Sequence, residues 1–406
     1  MGEKEFKVLN AKVKTMVALL KDAIRKEKIK ADLFIGGSFA KGTLLEKEKY
    51  DVDLYVRFEK KSKNISSSLS KIVKRAFGKR AIKIHGSRDY FQINVGENLV
   101  IEIIPVLKIR NPKEAENVTD LSYFHVNYVK NKINEKLRRE ILLAKKFCHA
   151  QNVYGAESYV RGFSGYALEC LIIYYKSFEK MLKELLKVEE KVIIDPAKHY
   201  KKKEEILREL NGGKLKSPVV FIDPTFKERN VLGALSVETF EKFKEAGRKY
   251  LKNKNEKFFK KEEINYEKLK EKLKEREEFV KIRLTTNKQE GDIAGSKLLK
   301  GFNYVKNSLG KYFDVLNSGF EYKSGNNGEG WIIVKPKNEI IIRGPPISMK
   351  KHAEKFKKMH KNFYEEEGTL YSEFEMLQTA RQFLKEFSKK NKKQLTEMDI
   401  INVEVN

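Results

Sequence analysis

The sequence predicts an α+β protein in three parts: a mixed α/β first part, a helical middle and a mixed last third. Residues 51–58 alternate strictly between apolar and polar, helical periodicity runs from Lys136 to Leu186, and strand-like runs return beyond Asp292. A chain of 406 residues has length for two or three domains with buried cores. We place the divisions at 1–137, 138–258 and 259–406.

The first element is an amphipathic helix over residues 5–27, where Phe6, Leu9, Val13, Val17, Leu20 and Ile24 recur every three or four positions. A short strand at Asp32–Ile35 is broken by Gly36-Gly37-Ser38. In the next strand Val52, Leu54, Val56 and Phe58 share one face, and Asp51, Asp53, Tyr55 and Arg57 the other. A helix over Ser66–Phe77 and strands at Ile82–His85, Tyr90–Val95 and Leu99–Leu107 complete this part. The helical stretch from Lys136 is interrupted at Tyr154-Gly155-Ala156 and Arg161-Gly162-Phe163. Residues 241–290 are dense in Lys and Glu and read as continuing helix. Gly319–Tyr322 and Gly330–Arg343 read as strands, closed by Gly344-Pro345-Pro346. Cys148 and Cys170 stand alone in apolar surroundings, without the spacing of a zinc site or disulfide framework, and read as small buried hydrophobes.

Lys and Arg number 85 against 57 Asp and Glu, a net charge of +28. That argues against an ordinary acidic enzyme of small metabolites and favours a polyanionic partner, nucleic acid ahead of an anionic membrane surface. With 40% hydrophobic residues, global disorder is excluded. No apolar run reaches the roughly 18 residues that span a bilayer, and the first 30 residues are interrupted by charge, so a soluble cytoplasmic protein is expected.

Asp51 and Asp53 leave one face of their strand with backbones about 6.6 Å apart. Drawn to about 4 Å they would repel by up to about 4 kcal/mol at an effective dielectric near 20, so they invite an oxygen-seeking divalent ion such as Mg²⁺. Glu102 lies inside an apolar strand and needs a partner. If its strand neighbours 51–58, it becomes a third carboxylate on that face, the set used for metal-assisted phosphoryl or nucleotidyl transfer. The plainer alternatives are a solvated strand face and a surface-edge Glu. Gly36-Gly37-Ser38 ends a strand 13 residues before the Asp pair, where its amides can face a phosphate, with Lys41 to neutralise triphosphate charge. A bare turn is the alternative.

Gly36-Gly37-Ser38-Phe39-Ala40-Lys41-Gly42-Thr43 followed by Asp51-Val52-Asp53 resembles the signature of the polymerase β-like nucleotidyltransferase superfamily. Val153-Tyr154-Gly155-Ala156-Glu157, Arg161–Tyr166, and Phe221-Ile222-Asp223-Pro224 running into Lys227–Val231 resemble the archaeal, class I CCA-adding tRNA nucleotidyltransferases. The resemblance covers most of the chain. It implies a polymerase β-like catalytic head with a mixed sheet and flanking helices, a helical central nucleotide-recognition region, and an α+β C-terminal RNA-binding domain. It also implies addition or repair of the 3′-terminal CCA of tRNA from CTP and ATP, without a nucleic acid template and with Mg²⁺.

Residue by residue, the resemblance assigns Asp51, Asp53 and Glu102 to catalysis and metal binding, Glu102 standing where the family usually has Asp. Gly37, Ser38 and Lys41 match the triphosphate contacts, Lys41 replacing a common Arg. Ser122 and His125 match a Thr and a His that touch the nucleotide, although a lone His beside aromatics is also a structural residue. Lys145 matches a helix-borne phosphate-binding Lys, its alternative being a solvated helix position, and Tyr154 a nucleotide contact. Arg229 matches the Arg that reads the Watson-Crick edge of C or A, while Lys227 reads as surface charge. Phe163 and Tyr166 read as core fillers. Lys350–Lys361, with six lysines and one Glu, lies in the region that contacts the acceptor and TψC arms of tRNA in that family. A homodimer is implied for many members. Two other readings stay open: a poly(A)-type or adenylyl-tailing nucleotidyltransferase acting on other RNA, and an RNA-binding protein whose site has decayed at Glu102.

Overall fold

The computed structural model describes all residues except 1–2, 61, 63, 262, 339, 361 and 375–377. The chain divides into two compact units, Met1–Glu262 and Glu263–Asn406, the first of which holds both the expected head and the helical region.

In the first unit, α1 (Glu3–Lys26) buries Leu9, Val13, Leu20 and Ile24 as its spacing dictates. Then follow β1 (Ala31–Ile35), α2 (Gly37–Lys41), β2 (Tyr50–Glu59), α3 (Ile65–Phe77), β3 (Ile82–Ile84), β4 (Tyr90–Asn94) and β5 (Leu99–Lys108). They form one mixed sheet in the order β1-β2-β5-β4-β3, with β2 and β5 parallel and the other pairs antiparallel. The parallel pair is possible because α3 and the β3–β4 hairpin provide the crossover. Val52, Leu54, Val56 and Phe58 are fully buried with Leu99, Ile101 and Ile103 against α1 and α3. The opposite face keeps Asp51, Asp53, Tyr55 and Arg57, as the alternation predicts.

The helical region contains α4 (Ser122–Lys132), α5 (Glu135–Ala150), α6 (Gly165–Tyr175) and α7 (Phe178–Leu186). Side chains of Asn134, Ser164 and Ser177 accept hydrogen bonds from the first turns of α5, α6 and α7, which fixes where each begins. The region is not purely helical. A small sheet of β6 (Val192–Ile194), β7 (Val219–Asp223) and β8 (Phe226–Asn230) flanks α8 (Lys203–Glu209) and precedes α9 (Val237–Lys252). Its strands escape sequence reading because they are three to five residues long, and β7 is buried on both faces, so it has no alternation to read. Phe147, Phe163, Phe178, Phe240 and Phe243 fill the core with Leu168 and Leu171, and both cysteines are free and buried there.

The second unit follows α10 (Tyr266–Glu271) with β9 (Glu278–Thr286), α11 (Asp292–Leu309), β10 (Phe313–Glu321) and β11 (Asn327–Pro336). It continues through β12 (Ile340–Pro346), α12 (Lys350–Met359), β13 (Phe363–Glu366), β14 (Thr369–Phe374), α13 (Ala380–Lys390), α14 (Lys392–Glu397) and β15 (Ile400–Val405). The antiparallel sheet β10-β11-β9-β15 has the order of a βαββαβ unit, and β12 to β14 are an insertion with their own sheet, β12-β14-β13. Two expectations are corrected. Residues 278–286 form a strand and not helix, because Val280, Ile282, Leu284 and Thr286 alternate onto one buried face. The single strand expected over Gly330–Arg343 is two, β11 and β12, which pair in different sheets; Glu339 of that stretch lies outside the described residues. Lys361, the last residue of the lysine-rich segment, also lies outside them, whereas Lys350–Met359 is the helix α12.

Candidate active site

The parallel register of β2 and β5 sets Asp53 directly opposite Glu102, and Asp51 opposite Val100. Three carboxylates therefore share the open face of the head sheet. The turn after β1 closes over them: the Gly36 amide donates to the Asp53 carbonyl at 2.9 Å. Gly37 has φ +59°, and a Cβ on it would fall 1.7 Å from Asp53 Oδ2, so both its conformation and the space demand glycine. The five-residue α2 then carries Ser38 and Lys41 and ends on Gly42 in the left-handed region.

Burial raises the Asp53 carboxyl to about 6, Asp51 pushing the same way against Lys41. Glu102 is raised to about 7 by burial and by Asp53, although Gln92 Nε2 donates to its Oε1 at 2.8 Å. Asp51 is exposed, 4.0 Å from Lys47 Nζ. Among the described residues no three His, Cys, Asp or Glu side chains are gathered into a ready-made metal cage. The chemistry nevertheless fits a hard, oxygen-seeking divalent cation: the donors are all oxygens, crowded carboxylates resist ionising together, and such an ion can keep water and substrate phosphates among its ligands.

Lys41 is buried and donates to Glu169 Oε2 at 2.5 Å. Glu169, fully buried on α6, also accepts from Thr43 Oγ1 at 2.6 Å and Lys145 Nζ at 2.8 Å, both at Oε1. Burial alone would raise this carboxyl, but Lys145 and Lys41 outweigh burial and hold it at about 2. Lys145 further donates to the Thr43 carbonyl at 3.0 Å and to Thr43 Oγ1 at 3.1 Å. It is 1% exposed, so the solvated alternative for this lysine is corrected: α5 turns it inward. Tyr154, half-buried and stacked on His149, brings its hydroxyl to the start of α6, where a Cβ on Gly165 would stand 2.9 Å from it.

A second anchor lies on the β7–β8 hairpin. Asp223 is fully buried and accepts from Tyr166 Oη at 3.0 Å and from the Thr225 amide and hydroxyl at 2.9 and 2.8 Å. Its other oxygen accepts from Arg229 Nη1 at 2.8 Å and lies 2.9 Å from His125 Nε2. Burial opposes ionisation there, but His125 and Arg229 hold the carboxyl far below the usual range. His125 stacks on Tyr166 with centroids 4.1 Å apart. The Lys41 ammonium and the Arg229 guanidinium stand 5.8 and 5.6 Å from the same ring centroid. As expected, Phe163 is buried in the helical core and Tyr166 packs against it; the Tyr166 ring in addition joins the Lys41 cluster to the Arg229 cluster. Ser122 sits one helical turn before His125 and lies beside Tyr55, which is on the same sheet face as Asp53.

Of the catalytic and nucleotide-binding candidates, Asp51, Asp53 and Glu102 lie on the sheet face, Gly37, Ser38 and Lys41 on α2, and Lys145, His125 and Arg229 in the two clusters, whereas Ser122 on α4 and Tyr154 before α6 belong to neither cluster and the lysine-rich segment lies in the second unit. Sequence reading gave no role to Glu169, Asp223 or Thr43. Glu169 had a signal, a lone acid in the apolar run Tyr166–Tyr175, the same signal that marked Glu102.

A mixed sheet presenting paired acids beside a Gly-Gly-Ser turn, backed by buried cations, defines a nucleotidyltransferase. Residues 17–143 match the family described as nucleotidyltransferase domain, and residues 139–260 the tRNA nucleotidyltransferase second domain. The CCA-adding enzyme of Nanoarchaeum equitans is 38% identical over 84% of this chain and 83% of its own. That of Saccharolobus solfataricus is 31% identical over 72% and 67%. A structure of the RNA terminal uridylyl transferase Cid1 aligns over 65% of this chain and 95% of its own, with 15% identity and a TM-score of 0.49. The chain belongs to the family of CCA-adding enzymes. Among the described residues no helix is long and apolar enough to cross a membrane.

Proposed function

We propose that this protein adds or repairs the 3′-terminal CCA of tRNA, transferring nucleotides from CTP and ATP without a nucleic acid template. The observation that carries the reading is the in-register juxtaposition of Asp53 and Glu102 beneath Gly37, with Asp51 on the same face. Asp51, Asp53 and Glu102 would hold Mg²⁺, which when bound acidifies the attacking 3′-hydroxyl and neutralises charge on the pyrophosphate leaving group. Ser38 and Lys41 face the triphosphate. Arg229, tied by one Nη1 to Asp223 and about a quarter exposed, offers its remaining donors to the base edge of C or A. Ser122, His125 and Tyr154 line the nucleotide's remaining sides.

The tRNA is assigned to the second unit, where Lys350, Lys351, Lys355, Lys357 and Lys358 are exposed on α12 while Ala353 and Phe356 seat the helix. Contacts of this kind follow the shape of an RNA helix, as an enzyme serving every tRNA requires. The same reading places the protein in the cytoplasm and allows a homodimer, which light scattering would detect.

The test is incorporation of labelled CTP and ATP, with Mg²⁺, into tRNA transcripts ending before CCA, after C and after CC, beside Asp53→Ala. Extension that stops after CCA and disappears in the variant is expected. Runs of A without C would instead make it a tailing enzyme, and tRNA binding without extension a non-catalytic RNA-binding protein.

A further inference from the structure

We infer that Gln92 is a positioning residue that makes Glu102 a one-oxygen ligand, and that it thereby favours a small octahedral cation such as Mg²⁺ over Ca²⁺ at the carboxylate face. The inference deepens the metal-dependent nucleotidyl-transfer reading above and rests on it. Glu102 stands between Asp53 of β2 and Gln92 of β4, directly opposite each in register. Phe91 and Ile93 are buried in the core, so strand alternation brings Gln92 to the face that carries the acids. β4 is paired on both sides, with Ile82 of β3 opposite Gln92, and this fixes the backbone that carries the amide. Gln92 Nε2 donates to Glu102 Oε1 at 2.8 Å, from the side of Glu102 remote from Asp53. Among the described residues Glu102 Oε2 takes no hydrogen bond.

That asymmetry decides what the carboxylate can offer an ion. An unrestrained carboxylate can close on a cation with both oxygens. Ca²⁺ gains from this, because it takes roughly six to eight oxygens in flexible geometry, whereas Mg²⁺ keeps a strict octahedron and prefers one oxygen from each carboxylate. With Oε1 engaged by the amide, only Oε2 is left to turn toward Asp53. Mg²⁺ loses nothing by the restraint, and Ca²⁺ loses a ligand.

The full-length protein would be compared as wild type, Gln92→Met, which fills the space without a donor, and Gln92→Lys, whose ammonium can still donate to Oε1. Mn²⁺ binding is followed by electron paramagnetic resonance, and displacement by Mg²⁺ and by Ca²⁺ gives a Kd for each. Gln92→Met is expected to bind Ca²⁺ about tenfold more tightly with Mg²⁺ within about twofold, so that Ca²⁺ inhibits extension at a correspondingly lower concentration. Gln92→Lys should bind both ions more weakly and keep their Kd ratio within about twofold of wild type. Gln92→Leu carries the comparison if Gln92→Met does not fold. An unchanged Kd ratio in Gln92→Met, or equal weakening of both ions, would make Gln92 a simple support and overturn the inference. So would a ratio that moves in Gln92→Lys as it does in Gln92→Met. If the wild type exchanges Mn²⁺ for Mg²⁺ but extends no tRNA, the proposed reaction fails while the ratio still decides this point; no Mn²⁺ binding at all sinks both.

Discussion

Asp53 and Glu102 are held ionised side by side only against resistance. Since the fold raises both carboxyls to about 6 and 7, the folded state binds more protons than the unfolded chain from about pH 4 to pH 7, and stability falls as pH rises through that window. A divalent cation should reverse the loss. We expect melting at pH 8 in chelator to rise on adding Mg²⁺, and Asp53→Asn to melt about 2–4 °C higher than wild type in chelator while losing most of the Mg²⁺ response and all extension activity. Differential scanning fluorimetry with and without chelator checks both. These acids were legible in the sequence because strand alternation is a local rule, and the spacing of Asp51 and Asp53 fixes their common face. Glu169 and Asp223 were not. Their partners lie 128 residues back at Lys41 and 98 residues back at His125, a distance over which periodicity carries no information.

The β7–β8 hairpin shows how an element can be built around one side chain. Asp223 closes the turn by accepting from Thr225 and at the same time ties Arg229, His125 and Tyr166 to the hairpin. Asp223→Ala leaves a buried imidazole and a guanidinium without their acceptor. The expected cost is about 3–5 kcal/mol of stability by chemical denaturation. Weaker discrimination between CTP and ATP should accompany it, seen as misincorporation at a primer ending in CC. At this scale the sequence was readable wherever an element presents one polar face, as α1 and β2 do, and unreadable where both faces are buried, as in β7. The strand β9 had a readable pattern. The charge density of its surroundings hid it, because Lys281 and Arg283 on its open face look like the flanking helical charge.

Over the whole molecule the excess of positive charge governs encounter with RNA. Binding of tRNA should weaken steeply with salt, and replacing Lys351, Lys355 and Lys358 by Gln should lower the slope of log Kd against log salt by about one for each lysine, with triphosphate binding unaffected. Filter binding across a salt series measures this. Composition pointed to a polyanion and the lysine-rich run Lys350–Lys361 was legible in the sequence; that Lys350–Met359 is a helix seated by Ala353 and Phe356 with its lysines exposed required the fold. The insertion that carries α12 leaves the sheet after β11, returns before α13, and has its own small core of Ala353, Phe356 and Leu370. It can therefore lengthen, shrink or be exchanged without shifting the register of β10-β11-β9-β15. On the proposed assignment of tRNA to α12, the chain's reach along its RNA can drift in evolution independently of its chemistry, one module free to change while the sheet that bears it stays fixed.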